Sequence, residues 1–290
     1  MYDVLDNLPE RTIKLLDLGF VELVDVMPRL VPEDQKTSDY AIVQAARVSY
    51  GPGTKSVSED RGLIRYLMRH VHTTPFEMVE FKFHCKMPIF VARQWIRHRT
   101  ANVNELSGRY SVLKEEFYFP EVENVRKQSK TNKQGSEQPI ETSDATAFLD
   151  ELDGFCSNAY EVYAEYLEKG VGREQARMVL PLNLYTEWYW KIDLHNLFHF
   201  LGLRCDSHAQ WEIRVFADAM LALIQPIVPF AVEAWNDYHD HRGAMKVTRL
   251  EMEAIRTALA EAKVGKLDSD NKREQAEWLE KASRLGLVVE

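Results

Sequence analysis

The chain has 290 residues, 45% of them hydrophobic, enough for one large core or for a core domain with an appendage. Its formal net charge of −9 argues against a general nucleic-acid binder, which is normally basic. No run approaches the ~20 apolar residues of a membrane span, and the N-terminal stretch lacks the pattern of a secretion signal, so a soluble, cytoplasmic protein with neither membrane nor nucleic-acid partners is expected.

In chain order, residues 20–28 (FVELVDVMP) alternate as a strand does. Residues 38–49 have helical spacing, stopped by Gly51-Pro52-Gly53. A second helix spans 58–70, with Ser58 as its N-cap and acids in the first turn. Thr73-Thr74-Pro75 ends that region. Residues 79–86 (VEFKFHCK) alternate as a strand with one buried face, and 88–97 form a helix with Pro88 near its first turn. Residues 98–111 read as an irregular loop. The polar stretch 121–141 buries little apolar surface and reads as a mobile surface insertion. A long amphipathic helix covers 142–169, a short one 173–179, a strand 185–192 and a helix 194–203. Another helix runs from 207 to about 235, interrupted near Pro226 and Pro229. The expected architecture is α+β: a small mixed or antiparallel sheet packed with long helices. Residues 1–242 form the main domain, with the polar insertion at about 121–142. Residues 243–290 form a charged extension of two helices.

The three cysteines, Cys85, Cys156 and Cys205, are widely spaced and include no CxxC pair, so neither a disulfide framework nor a zinc knuckle is expected. Cys205 lies among charged residues and is a candidate nucleophile, against the commoner role of a small hydrophobe. Gly51-Pro-Gly-Thr-Lys-Ser fails the phosphate-loop pattern and reads as a turn. His195 and His199 share one helix face, as metal ligands do, but Asn196 stands where the zinc-protease pattern needs Glu. His70 and His72 flank Val71 at a helix end.

The cations are unevenly spread: residues 93–109 hold four arginines and one acid, Glu105. Arg97-His98-Arg99 places like charges side by side, an arrangement that faces either solvent or an anion. Ser107-Gly108-Arg109 follows, where glycine lets backbone amides approach a ligand and the arginine fork suits phosphate. An acidic chain with one such cluster points to a defined anionic small molecule, against a solvated basic patch. Two other readings stay open: a metal-dependent nucleotide hydrolase using His195, His199 and His208, and a nucleic-acid module on the arginine cluster.

At these residues the chain resembles the flavin-dependent thymidylate synthases, whose signature is Arg-His-Arg, seven residues, then Ser. Here it stands as Arg97-His98-Arg99, TANVNEL, Ser107, and continues through Gly108-Arg109-Tyr110. The likeness extends through AARVSY, LIRYLMRHVHTTPFE, MPIFVARQW, ARMVLPLNLYTEWYW and LRCDSHAQWEI, covering roughly residues 20–235.

The resemblance implies a homotetramer with active sites at subunit interfaces, each holding FAD. The implied reaction methylates dUMP to dTMP, with methylenetetrahydrofolate as carbon donor and NADPH as reductant. It implies that Arg204 is the catalytic cation, stabilising the N3-deprotonated uracil in place of a nucleophilic cysteine. For dUMP it implies Gln94, Arg97 and Arg204, and, from a neighbouring subunit, Glu105, Leu106, Ser107, Gly108, Arg109 and Arg177. Ser107 has no paired base in the pattern and is read as a hydrogen-bonder rather than a nucleophile. For FAD it implies Ser49, His72, Thr74, Arg97, His98, Arg99, Glu105, Asp193, His195 and His199, with no metal. The chain departs from the family at Asp193-Leu194-His195 and His199, where Asn-Ala-Arg and a later Asn are usual, and at Met78, where His is usual.

Overall fold

The computed structural model describes residues 1–48, 57–130, 133, 135–238, 248–258, 263–264, 270–285 and 287–289. Its elements in chain order are β1 (Tyr2–Asp3), β2 (Thr12–Leu15), β3 (Gly19–Met27), β4 (Leu30–Val31), α1 (Asp39–Arg47), α2 (Val57–Arg69), α3 (Thr74–Glu77), β5 (Glu80–Pro88), α4 (Ile89–Trp95), β6 (Asn102–Glu105), β7 (Arg126–Gln128), β8 (Ser136–Pro139), α5 (Thr142–Glu168), α6 (Arg173–Ala176), β9 (Tyr185–Asp193), α7 (Leu194–Arg204), α8 (Trp211–Ile224), α9 (Pro229–Tyr238), α10 (Arg249–Ala258), β10 (Lys263–Val264), α11 (Lys272–Arg284) and β11 (Val288–Val289). The architecture is the expected α+β, around a five-stranded antiparallel sheet of order β2-β3-β5-β9-β6. No described helix is long and apolar enough to cross a membrane.

The period-two pattern of β5 and β9 builds the centre. Phe81, Phe83 and Cys85 pair across the ladder with Ile192, Trp190 and Trp188, and all six are buried. Leu197, Phe200 and Leu201 of α7 and Phe216 and Met220 of α8 belong to the same core. The alternate residues put charge on the opposite face, where His84 lies between Glu22 and Glu187.

Two helices leave the sheet without a loop. Pro88 ends β5 and is the extended N-cap of α4, whose first-turn donors its ring cannot disturb. Trp95 then inserts between Trp188, Trp190 and Phe200, with ring centroids 5.0 to 5.2 Å apart. Asp193 ends β9 and caps α7, its side chain accepting from the Asn196 amide at 2.9 Å. Both helices are thus aimed by adjacent central strands. A third helix is capped from a distance: buried Asp39 accepts from the Phe230 and Ala231 amides at the start of α9, at 2.9 and 3.1 Å. Burial pushes its carboxyl up to about 7.

Several expectations need correction. Residues 98–111 are not wholly irregular: Asn102–Glu105 is an edge strand paired with β9, a placement that its polar sequence hides. Pro75 opens the short helix α3 rather than closing the region, because proline is tolerated in a first turn. The second helix already includes Val57, so Ser58 lies within it rather than at its cap position. The polar insertion contains an exposed antiparallel hairpin, β7–β8. The glycine turn at 51–53 and Ser49 fall outside the described residues.

Candidate active site

The ends of α4 and α7 meet. Arg204, the last residue of α7, donates from Nε to His98 Nε2 at 3.1 Å and from Nη2 to the Gln94 carbonyl at 3.4 Å. Arg204 is half-buried, and among the described residues no carboxylate pairs with it. Burial lowers its pKa, though a guanidinium stays cationic at neutral pH. A half-buried cation whose partners among the described residues are neutral carries an unmet desolvation cost, and a bound anion is what would offset it. Its position at a helix C-terminus recovers part of that cost through the helix dipole.

His98 is kept neutral by the same arrangement. Burial, then the charges of Arg204 and His199, holds its pKa down to about 4. A neutral ring can accept at Nε2, as the contact with Arg204 requires. The ring also packs edge-on against Phe200 at 4.9 Å and lies 6.1 Å from the His199 ring. His98 therefore joins Arg204 to a second feature, a cleft of about 320 Å³.

His72, His195 and His199 line that cleft, over an apolar floor that includes Phe76, Phe198 and Trp235. His195 and His199 face it from successive turns of α7, as their spacing of four requires. His72 arrives from the turn after α2. There Val71 has φ 56°, the His72 amide donates to the Leu67 carbonyl at 2.9 Å and the Val71 amide to Met68 at 3.2 Å. This is a Schellman closure with a β-branched residue where glycine is usual, and it stores roughly 1–3 kcal/mol of strain. An apolar cleft of this size, edged by a few polar groups, fits a flat heteroaromatic ring. Arg97 and Arg99 flank His98, both exposed, with no ion pair or hydrogen bond from either side chain among the described residues. They remain available to the phosphates of a nucleotide cofactor. Thr74 opens α3 beside cleft-lining Thr73. Asp193 is committed to α7, its second oxygen accepting from Asn196 Nδ2 at 2.7 Å.

A third group lies along the sheet edge. Glu105 ends β6 and accepts from buried Thr186 at 2.7 Å, and the Leu106 amide donates to the Glu187 carbonyl at 2.8 Å. The chain then turns tightly: the Tyr110 and Ser111 amides both donate to the Ser107 carbonyl at 3.1 Å, and the Arg109 amide to Ser107 Oγ at 3.3 Å. No histidine or carboxylate contacts the Ser107 hydroxyl among the described residues, so it has no activating base. Gly108 is pressed against a neighbour: a Cβ there would lie 3.0 Å from Leu113 Cδ1 and 3.2 Å from Arg177 Cδ. Arg177 is exposed, while Arg109 pairs with Glu174 at 3.1 Å on the surface, a pair weak enough to be exchanged for a ligand.

Within one chain, then, Arg204, Gln94, His98 and the histidine cleft are brought together, and Ser107, Gly108, Arg109 and Arg177 form a separate group. No hydrogen bond or ion pair links the two among the described residues. Residues missed by sequence reasoning include Gln210, which hydrogen-bonds Gln94, and the cleft floor of Phe76, Phe198 and Trp235. Their aromatic spacing is the same signal that marks ordinary core. Cys85 and Cys156 are buried with thiols pushed up by desolvation, and Cys205 packs on the hydrophobic core. Among the described residues no three His, Cys, Asp or Glu side chains are grouped to hold a metal ion. His208 faces solvent, against Asp206 at 2.8 Å.

Comparison with known proteins adds to this geometry. Residues 29–230 match the family model described as "Thymidylate synthase complementing protein". The flavin-dependent thymidylate synthase of Dictyostelium discoideum is 59% identical over 284 residues, 98% of this chain and 90% of the relative. That of Thermus thermophilus is 58% identical over 250 residues, covering 86% of each. Among solved structures, the UMP/dUMP methylase PolB from Streptomyces cacaoi, bound with 5-Br dUMP, superposes with a TM-score of 0.69 at 33% identity, over 78% of this chain and 98% of that one.

Proposed function

Because the chain belongs to the family of flavin-dependent thymidylate synthases, we propose that it methylates dUMP to dTMP in the cytoplasm, with FAD as cofactor, methylenetetrahydrofolate as carbon donor and NADPH as reductant. The observation that carries this reading is Arg204, a half-buried cation with neutral partners. Uracil becomes nucleophilic at C5 when negative charge is stabilised in its ring, and a fixed guanidinium does that without a covalent adduct. His98 holds the guanidinium by accepting from Nε and the Gln94 carbonyl by accepting from Nη2, which leaves Nη1 for the substrate. The bland alternative, an arginine ending a helix, does not explain why a neutral histidine rather than a carboxylate was placed against it.

The remaining residues divide by chemistry. Gln94 and Arg97 serve the uracil and sugar side of dUMP. Ser107 with the Gly108 backbone, Arg109 and Arg177 serve its phosphate, and Glu105 and Leu106 anchor that turn to the sheet. Because this group stands apart from Arg204 within one chain, the reading requires that a neighbouring subunit supply it, in a homotetramer. The exposed edge strand β6 and apolar residues such as Phe155 and Met178, 62% and 76% exposed, support such contacts. His72, Thr74, Arg97, His98, Arg99, His195 and His199 serve FAD, with Ser49 and Asp193 assigned by family resemblance. A flavin held in this cleft would supply the hydride that completes the methyl group. Residues 1–242 carry the synthase domain, and 243–290 are an extension of it.

The test is direct. The purified protein should take up FAD, show the yellow flavin spectrum and oxidise NADPH in a dUMP-dependent way with dTMP as product. A colourless protein that takes up no FAD sinks the reading.

A further inference from the structure

A second seam on the molecule bears on the cleft. Helix α2 carries Arg61, Arg65 and Arg69 at a spacing of four, so they share one face. Facing them are Glu233 and Asp237 of α9 and Glu274 and Glu277 of α11. Arg69 is 7% exposed and gripped from both sides. Its Nε and Nη2 donate to the two oxygens of Glu277 at 2.7 and 2.9 Å, and its Nη1 donates to Glu274 at 2.9 Å. Glu274, 4% exposed, also accepts from Arg65 at 2.6 Å and from the Tyr238 hydroxyl at 2.7 Å. A fork-to-fork pair between a carboxylate and an arginine at this burial is a strong and directional contact. It holds the Glu277 carboxyl down to about 2, so the charge is present at any working pH.

The seam is continuous with the cleft. Glu277 also contacts His70 Nε2 at 3.1 Å. The next residue is Val71, at φ 56°, and the one after is cleft-lining His72. Tyr238 belongs to both places: it lines the cleft and takes the Arg65 and Arg69 guanidiniums over its ring at 5.0 and 5.5 Å. A β-branched residue at positive φ persists only where its surroundings over-determine it. The residues immediately before Val71 are the ones clamped by the C-terminal helix.

We propose that α11 is a strap on the flavin cleft: Glu277, seconded by Glu274, fixes Arg69, His70 and Tyr238, and thereby holds the strained Val71 turn that presents His72. Glu277 is a positioning residue for cofactor binding, although it touches no part of the cleft itself. The flavin half of this statement rests on the function proposed above; the clamp half rests on the turn alone. If loss of the clamp leaves the turn competent a tenth of the time, apparent FAD affinity falls tenfold, since affinity scales with the competent fraction.

The test uses the full-length chain in four forms: wild type, Glu277→Gln, Val71→Gly and the double variant. Without FAD, hydrogen exchange at the Val71 and His72 amides should quicken at least about tenfold in Glu277→Gln, because a turn open most of the time keeps little protection. FAD titrated by flavin fluorescence should bind about tenfold more weakly to Glu277→Gln. Val71→Gly removes the strain, so the double variant should bind FAD within about threefold of Val71→Gly alone. Unchanged exchange in Glu277→Gln overturns the proposal. So does weakened FAD binding that Val71→Gly does not rescue, which would make α11 a general stabiliser. If exchange quickens as expected but even the wild type takes up no FAD, the clamp stands and the flavin reading fails.

Discussion

Replacing Arg204 by Ala removes the charge on which the proposed chemistry depends. The guanidinium is half-buried beside a neutral His98 and a backbone carbonyl, so no local anion would be orphaned by the change. Two opposite charges about 4 Å apart, in surroundings of effective dielectric about 20, interact by about 4 kcal/mol. If that interaction is made with charge that develops fully only as C5 becomes nucleophilic, Arg204→Ala loses about a thousandfold in kcat/KM. Arg204→Lys keeps the charge but loses the fork that holds His98 and is proposed to hold substrate as well, and should lose roughly ten- to a hundredfold. Arg204 does not line the histidine cleft, so both variants should keep wild-type flavin content. The assay is dTMP formation at varied dUMP, with flavin absorbance measured on the same samples. A flavin-loaded Arg204→Ala enzyme within tenfold of wild type would refute the reasoning, because no desolvated charge pair of that size could then be at work.

Three further outcomes follow from the geometry. His98 titrates at about 4 in the fold against about 6.5 when unfolded; the unfolded chain therefore binds the extra proton between those values, and stability is lost as pH falls through that window. Discounted for solvent screening of a half-buried ring, His98→Gln should reduce the loss between pH 7 and pH 5 by about 1 kcal/mol in urea unfolding; an unchanged slope would mean that His98 titrates normally. Gly108→Ala drives a methyl toward Arg177 Cδ and Leu113 and should raise KM for dUMP about tenfold, leaving kcat within about twofold; steady-state kinetics decide, and an unmoved KM would separate Arg177 from the phosphate. Asp39→Ala leaves the Phe230 and Ala231 amides at the head of α9 without their acceptor and should cost about 2–4 kcal/mol at neutral pH; a loss below about 1 kcal/mol would show that other groups cap that helix.

The fold was legible where one face of an element is buried. Residues 79–86 and 185–192 alternate strongly because Phe81, Phe83, Cys85, Trp188, Trp190 and Ile192 all point into one core. The helix over 142–168 was equally plain, as was the pause near Pro226 and Pro229 that separates α8 from α9. Strand β6 was hidden for the opposite reason. Its four residues are all exposed, and an edge strand that buries neither face leaves no period in the side chains. The start of α2 shows a different limit: Ser58 has the chemistry of a cap, but capping depends on where the helix begins, and a nearby serine does not decide that.

The site was legible as residue types and illegible as partners. Arg97-His98-Arg99 stands out because adjacent cations are unusual in an acidic chain, yet the three divide in the fold: the arginines face solvent and the histidine turns inward to Arg204. Nothing local signals that inward turn, since the pairing spans 106 residues of sequence. What brings the two together is that each follows a strand–helix junction, at Pro88 and at Asp193, on neighbouring strands of one sheet. Asp193 shows how this bears on family resemblance. A departure from Asn looks like a change in cofactor contact, but Asp caps a helix as well as Asn does, its negative charge suits a helix N-terminus, and here it spends both oxygens on Asn196. The substitution therefore acts first on the helix that carries His195, His199 and Arg204, and its effect on the cleft is through where that helix begins.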